Sequence, residues 1–300
     1  LSKKLKIGLA LGGGGARGLA HIGVLKVLEA NQIPIDVIAG TSIGAIAGAV
    51  YALHENASVL EERALAFLQA PVFHESGLDL FKKKKAAENF FGQVAKYVKE
   101  RIVINLAHSR PSLVGSWRVA RAVDFMVDDE TFESCRIPFA CVATDLNSGE
   151  EVVFRRGRLR QAVAASMSIP GFLPPVRLDG RLLVDGAVVA PVPINACKLL
   201  GADAVIAVDV SQPINGVGAL ENVVDIIFRS NSILSYQYKE MLLEYADVVI
   251  RPEVGEVHWS EFQNVQPLVA AGERATEQVL PKIRQLFDRK PSIWRRLFGN

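Results

Sequence analysis

A serine hydroxyl becomes a useful nucleophile only when the backbone presents it and a neighbouring group takes its proton. Ser42 meets the first condition. It stands in GTSIG, Gly40 to Gly44, after the apolar run IDVIA and before the small-residue helical pattern IGAIAGAVYALH. G-x-S-x-G between a strand and a helix is the spacing of a nucleophile elbow. Gly40 and Gly44 suit it because a sharp turn needs permissive dihedrals and leaves no room for side chains beside the hydroxyl. At a helix start, free N–H groups and the helix dipole favour developing negative charge. Alone, the same serine could be a plain helix N-cap.

A second glycine turn, Gly12 to Gly18, precedes it. Gly13, Gly15 and Gly18 can be read as G-x-G-x-x-G, but a dinucleotide site wants an acidic residue after the second strand, and Asp36 comes before it. No G-K-[ST] follows, so a phosphate-binding P-loop fails too. The remaining use for glycine amides at a helix start is an oxyanion hole, with Arg17 helping to fix the turn. For a base, LLVDGAVVAPVPI places Asp185 before Gly186 on a turn after an apolar strand. Taken alone it could equally bond its own backbone. The five histidines are His21, His54, His74, His108 and His258. His258 would complete the order Ser, Asp, His of α/β-hydrolases, although their elbow follows several strands and this one follows the second. His21 reads as structural.

The elements that must position these residues alternate. KIGLALGG is a strand stopped by glycines, and Leu19, Ile22, Leu25 and Leu28 then recur at helical spacing. IDVIAG and the helix after Ser42 repeat the unit, and IPFACVATDL, GRLLVDGA and ADAVIAVDVS read as later strands. Alternation of this kind predicts an α/β fold on a mostly parallel sheet. Residues 71–116 break the pattern and read as a cap or insertion. Residues 211–300 read as a carboxyl-terminal helical extension, with helices near Glu221 to Tyr245 and Gln266 to Phe287 and a strand in ADVVIRP. With no repeat or low-complexity linker, 1–300 is expected to form one domain.

Composition narrows the setting. A net charge of +2 over 300 residues argues against nucleic acid as a partner. The scattered Cys135, Cys141 and Cys197 read as reduced core residues rather than a disulfide or metal framework. The amino-terminal segment lacks a leader pattern, and the longest apolar stretch, Ile43 to Leu53, is shorter than the roughly 20 residues a membrane helix takes. A cytoplasmic protein is expected. Lys82 to Lys85 with Phe81, Phe90, Phe91, Tyr97 and Val98, and the terminal SIWRRLFG, suggest peripheral contact with an anionic membrane.

Taken in order, GGGARG (Gly13 to Gly18), GTSIG and DGA (Asp185 to Ala187) resemble the patatin-like phospholipase family, bacterial branch. AASMSIPGFLPPV, Ala164 to Val176, is similar to its A-S-x-x-x-P block. The resemblance implies a three-layer αβα sandwich and a Ser-Asp dyad without histidine. Ser42 would be the nucleophile and Asp185 the base. The amides of Gly13, Gly14 and Gly15, with the Ile43 N–H, would form the oxyanion hole, supported by Arg17, Gly18, Gly40, Gly44 and Gly186. It further implies no cofactor or metal, and a phospholipid or lysophospholipid substrate whose acyl ester is hydrolysed. Other readings of the same residues are an acyl-ester or thioester hydrolase, an acyltransferase, or a noncatalytic regulator on the same fold.

Overall fold

The computed structural model describes residues 4–76, 116–214, 223–255, 257, 260–263 and 265–288. Among the described residues eight strands form one sheet: β1 (Ile7–Leu11), β2 (Val37–Thr41), β3 (Phe139–Asp145), β4 (Glu151–Phe154), β5 (Val176–Leu178), β6 (Arg181–Asp185), β7 (Ala204–Val208) and β8 (Val248–Ile250). The main path runs β5-β6-β3-β2-β1-β7-β8, with β4 also on β3. Neighbours from β3 through β2, β1 and β7 to β8 are parallel, whereas β4 and β6 pair antiparallel with β3, and β5 with β6. The expected mostly parallel sheet is thus present, with an antiparallel corner.

Apolar residues on both faces explain why the strands are buried on both sides. On one face Ile7, Leu9, Leu11, Ile38, Phe139, Ile206 and Val208 pack under α1 (Ala20–Ala30), α2 (Ile43–His54), α3 (Ala57–Gln69) and α9 (Val265–Asp288). That layer also holds α4 (Pro71–Glu75), α5 (Ser116–Met126) and α6 (Leu159–Ser166). The other face is built from smaller residues, Ala10, Ala39, Ala140 and Ala207, against α7 (Ile194–Leu199) and the end of α8 (Val223–Leu243). Small side chains let that second layer sit close. The result is the three-layer arrangement.

The carboxyl-terminal third contributes more than helices: β8 extends the sheet beside β7, and α9 lies along α1. Most of the expected cap, 77–115, lies outside the described residues, as do Lys82 to Lys85 and the terminal SIWRRLFG. Among the described residues no helix is long and apolar enough to cross a membrane.

Candidate active site

Two strands meet head to head to build the site. β4 pairs with β3 from Cys141 to Thr144, so it occupies one edge of β3 across that stretch. The other edge is shared. β2 runs up it until Thr41 stands opposite Val142, and β6 comes down it until Asp185 stands opposite Ala143. The residue after β2 and the last residue of β6 are therefore brought together, although 143 positions separate them in sequence.

Those two residues are Ser42 and Asp185. Ser42 Oγ donates to Asp185 Oδ2 at 2.6 Å, and the aspartate's other oxygen accepts from the Ala187 N–H at 2.8 Å. Asp185 is fully buried and Ser42 is 3% exposed. Burial away from water pushes the Asp185 carboxyl up to about 7, against the pull of its two hydrogen bonds. A carboxylate titrating near neutrality is matched to taking and returning a proton.

Ser42 has φ 55°, a left-handed conformation seldom held by a residue with a side chain. The turn survives because its surroundings hold it. A Cβ on Gly40 would strike the Gly44 carbonyl, and one on Gly44 would strike the Leu11 carbonyl, so the elbow can fold tightly only with glycine at both positions. Gly18 faces Ile43 across the two turns, and Gly186 backs onto the Val142 carbonyl.

A hydrogen-bonded brace came from the A-S-x-x-x-P block. The Ser42 N–H donates to Ser166 Oγ at 2.9 Å, and the Asp185 N–H donates to the Ser168 carbonyl at 2.9 Å. One three-residue segment thus anchors both members of the pair. The block is legible in the sequence, but nothing there gives Ser166 or Ser168 a role, since their partners are remote in the chain. Thr144 Oγ1 also donates to the Asp185 carbonyl, and Thr41 Oγ1 to the Ala190 carbonyl.

The glycine turn lies beside the elbow, but its amides are not equivalent. The Gly12 N–H donates to the Val208 carbonyl and the Gly13 N–H to the Pro191 carbonyl, each at 3.0 Å. Gly13 therefore departs from the expected oxyanion hole: its N–H is committed to the fold and is not open to an oxyanion. What it contributes is space, its missing Cβ lying 3.3 Å from the Ser42 Cβ. Among the described residues the N–H groups of Gly14 and Gly15 have no backbone or side-chain partner, and neither does that of Ile43 at the first turn of α2.

Arg17 reaches from the glycine turn across the chain. Fully buried, it sends Nε to the Val257 carbonyl at 2.9 Å, tying the glycine turn to the carboxyl-terminal segment. Burial lowers its guanidinium to about 10, and Glu261 and Asp209 supply compensating charge. Asp209 itself is paired with the buried Lys239 of α8 at 2.7 Å.

Of the described histidines, His21 has Nε2 2.9 Å from the Gly12 carbonyl and is pushed down to about 4 by burial, so it is a neutral donor that props the loop. His54 pairs with Asp128 at 2.8 Å, away from Ser42. His108 and His258 lie outside the described residues. The three cysteines are unpaired thiols, each pushed up to about 12 by burial first of all.

The family model described as patatin-like phospholipase matches residues 9–198. The chain belongs to this family. The matched span contains the glycine turn, the elbow, the brace and the aspartate turn, so the patatin-like motifs and the geometry coincide. An uncharacterized NTE family protein of Mycobacterium bovis is 35% identical over 213 residues, 70% of this chain and 50% of the relative. The lysophospholipase NTE1 of Pyricularia oryzae is 32% identical over 206 residues, 69% of this chain and 12% of the relative. The chain thus spans about half the length of the mycobacterial relative and a small part of the fungal one. VipD from Legionella pneumophila, a solved structure, has a TM-score of 0.48 at 14% identity, over 94% of this chain and 67% of that one.

Proposed function

We propose that this patatin-like protein is a serine lipid acyl hydrolase, acting on the acyl ester of a phospholipid or lysophospholipid. The observation that carries the reading is the 2.6 Å hydrogen bond from Ser42 Oγ to the buried Asp185 carboxylate. In the first half-reaction Asp185 Oδ2 takes the Ser42 proton while Oγ bonds to the ester carbonyl carbon. The carbonyl oxygen becomes an oxyanion and is met by the N–H groups of Gly14, Gly15 and Ile43. Collapse breaks the ester bond, and the leaving alcohol receives the proton from Asp185. In the second half-reaction Asp185 takes a proton from water, which attacks the acyl-serine; fatty acid leaves and Ser42 Oγ is reprotonated.

Phospholipase in the family's name, and lysophospholipase in that of the Pyricularia relative, support a glycerophospholipid substrate. The test is fatty acid release from vesicles of phospholipid with lysophospholipid, comparing the wild type with Ser42→Ala and Asp185→Asn. Release by the wild type that disappears in both variants is expected. Release that survives in Ser42→Ala refutes the nucleophile assignment; no release from the wild type favours transfer to another acceptor or a noncatalytic role.

A further inference from the structure

On the thin face of the sheet, a cavity of about 450 Å³ opens between the start of β4, α7 and the end of α8. That volume is within the usual range for small-molecule sites, roughly 300–1,000 Å³. Its apolar wall is the segment Val189 to Ile194, with Leu242 opposite. Its polar side holds Glu151, Asn195 and Lys198, and the rings of Tyr238 and Tyr245 complete it.

Glu151 is the anomaly. Asn195 Nδ2 donates to its Oε2 at 3.2 Å, while the buried Oε1 has no partner among the described residues. A carboxylate offers roughly four lone-pair sites, and here one is used. No lysine or arginine pairs with it among the described residues; Lys198, at the same cavity, instead places Nζ 5.2 Å from the Tyr245 ring centre. Burial raises the Glu151 pKa, the sign of a carboxylate lacking a cation. A group that carries positive charge, N–H donors and an apolar body would satisfy all three features. With the Tyr245 ring already beside Lys198, the Tyr238 ring is the aromatic left at the cavity to meet such a cation.

We propose that this cavity binds an alkylammonium group, with its N–H donors on Glu151, its alkyl part against Val189 to Ile194 and its charge beside Tyr238. The site shares a wall with the candidate active site. Ala190 and Pro191 offer their carbonyls to Thr41 Oγ1 and the Gly13 N–H, so the segment facing the cavity on one side holds the elbow strand and the glycine turn on the other. Glu151 stands in register with Thr144, whose hydroxyl holds the Asp185 carbonyl. An occupant braces this wall and through it the site.

A free alkylamine and an ethanolamine lipid headgroup carry the same chemistry. Calorimetric titration of n-butylammonium chloride into the full chain tests the first source, with n-butanol as the neutral match. Flotation with phosphatidylcholine vesicles, with and without phosphatidylethanolamine, tests the second. Variants are Glu151→Gln, which keeps shape and the Asn195 contact, and Tyr238→Leu, each checked for an unchanged melting transition. The proposal expects n-butylammonium, or the ethanolamine vesicles, to bind the wild type with at least tenfold weakening in Glu151→Gln and no comparable binding of n-butanol or of vesicles without ethanolamine. Ser42→Ala should bind as the wild type does, which separates this site from the catalytic reading. It is overturned if neither probe binds, or if Glu151→Gln binds as well as the wild type.

Discussion

Replacing Asp185 with asparagine should abolish turnover and, above neutral pH, make the protein more stable. Asparagine keeps the shape of the side chain, still accepts from the Ala187 N–H, and can donate to Ser42 Oγ where the aspartate accepted. What it removes is the need to ionise a fully buried group. In the native protein the Asp185 carboxyl titrates at about 7, against an ordinary 3.8. Between those values the native state holds a proton that the unfolded chain has released. Stability contributed by the protonated carboxyl is therefore complete below about 3.8, falls as pH rises through this window, and is gone above about 7. A gap of about 3 in pKa corresponds to on the order of 4 kcal/mol. Asp185→Asn and the wild type should be nearly equally stable at pH 4. The variant should gain progressively up to pH 8, because every other titrating group is common to both and cancels. Urea denaturation of both proteins across that range gives the difference directly. A difference that does not change with pH, or a wild type that is the more stable at pH 8, would refute the argument. The activity side is linked: with Asp185 as the proposed base, kcat/KM of the wild type should fall about tenfold per pH unit below 7, as its carboxylate is protonated.

Ser42→Gly should be inactive yet melt higher than Ser42→Ala, since glycine holds φ 55° without the cost of about 1–3 kcal/mol charged to a side chain there; equal melting temperatures would remove strain from the account. Ser166→Ala leaves the buried Ser42 N–H without its acceptor, for a stability loss of about 1–3 kcal/mol and a fall in kcat with little change in KM. Full activity in that variant would show that the brace is dispensable. Lys239→Met takes the 2.7 Å ammonium partner from the buried Asp209 carboxylate, leaving it the Ser211 N–H and Arg251 at 4.0 Å, and should destabilise by about 1–3 kcal/mol in urea denaturation, with Asp209→Asn in the same chain restoring much of the loss. Failure of that rescue would mean packing, not charge, ties α8 to the sheet.

How much of this was legible beforehand follows from how local each feature is. The elbow was readable because a strand, a tight glycine turn and a small-residue helix are all written within about 20 consecutive residues, and backbone sterics leave them little choice. The strands were readable as apolar runs and the parallel core as alternation. The antiparallel corner was not, since GRLLVDGA has the same composition whichever way it runs beside β3.

The amino-acid sequence by itself therefore marked candidates for nucleophile, base and amide donors, and determined the class of sheet that would carry them. Only the tertiary structure decided which of them meet. β2 and β6 share one edge of β3, and that register, set by packing across the whole sheet, places Ser42 Oγ on Asp185. The same long-range pairing spends the Gly13 amide on Pro191, sends Arg17 to Val257, and recruits Ser166 to the elbow. Each is a choice among chemically similar hydrogen-bond partners. Spacing along the chain cannot make that choice; proximity after folding does.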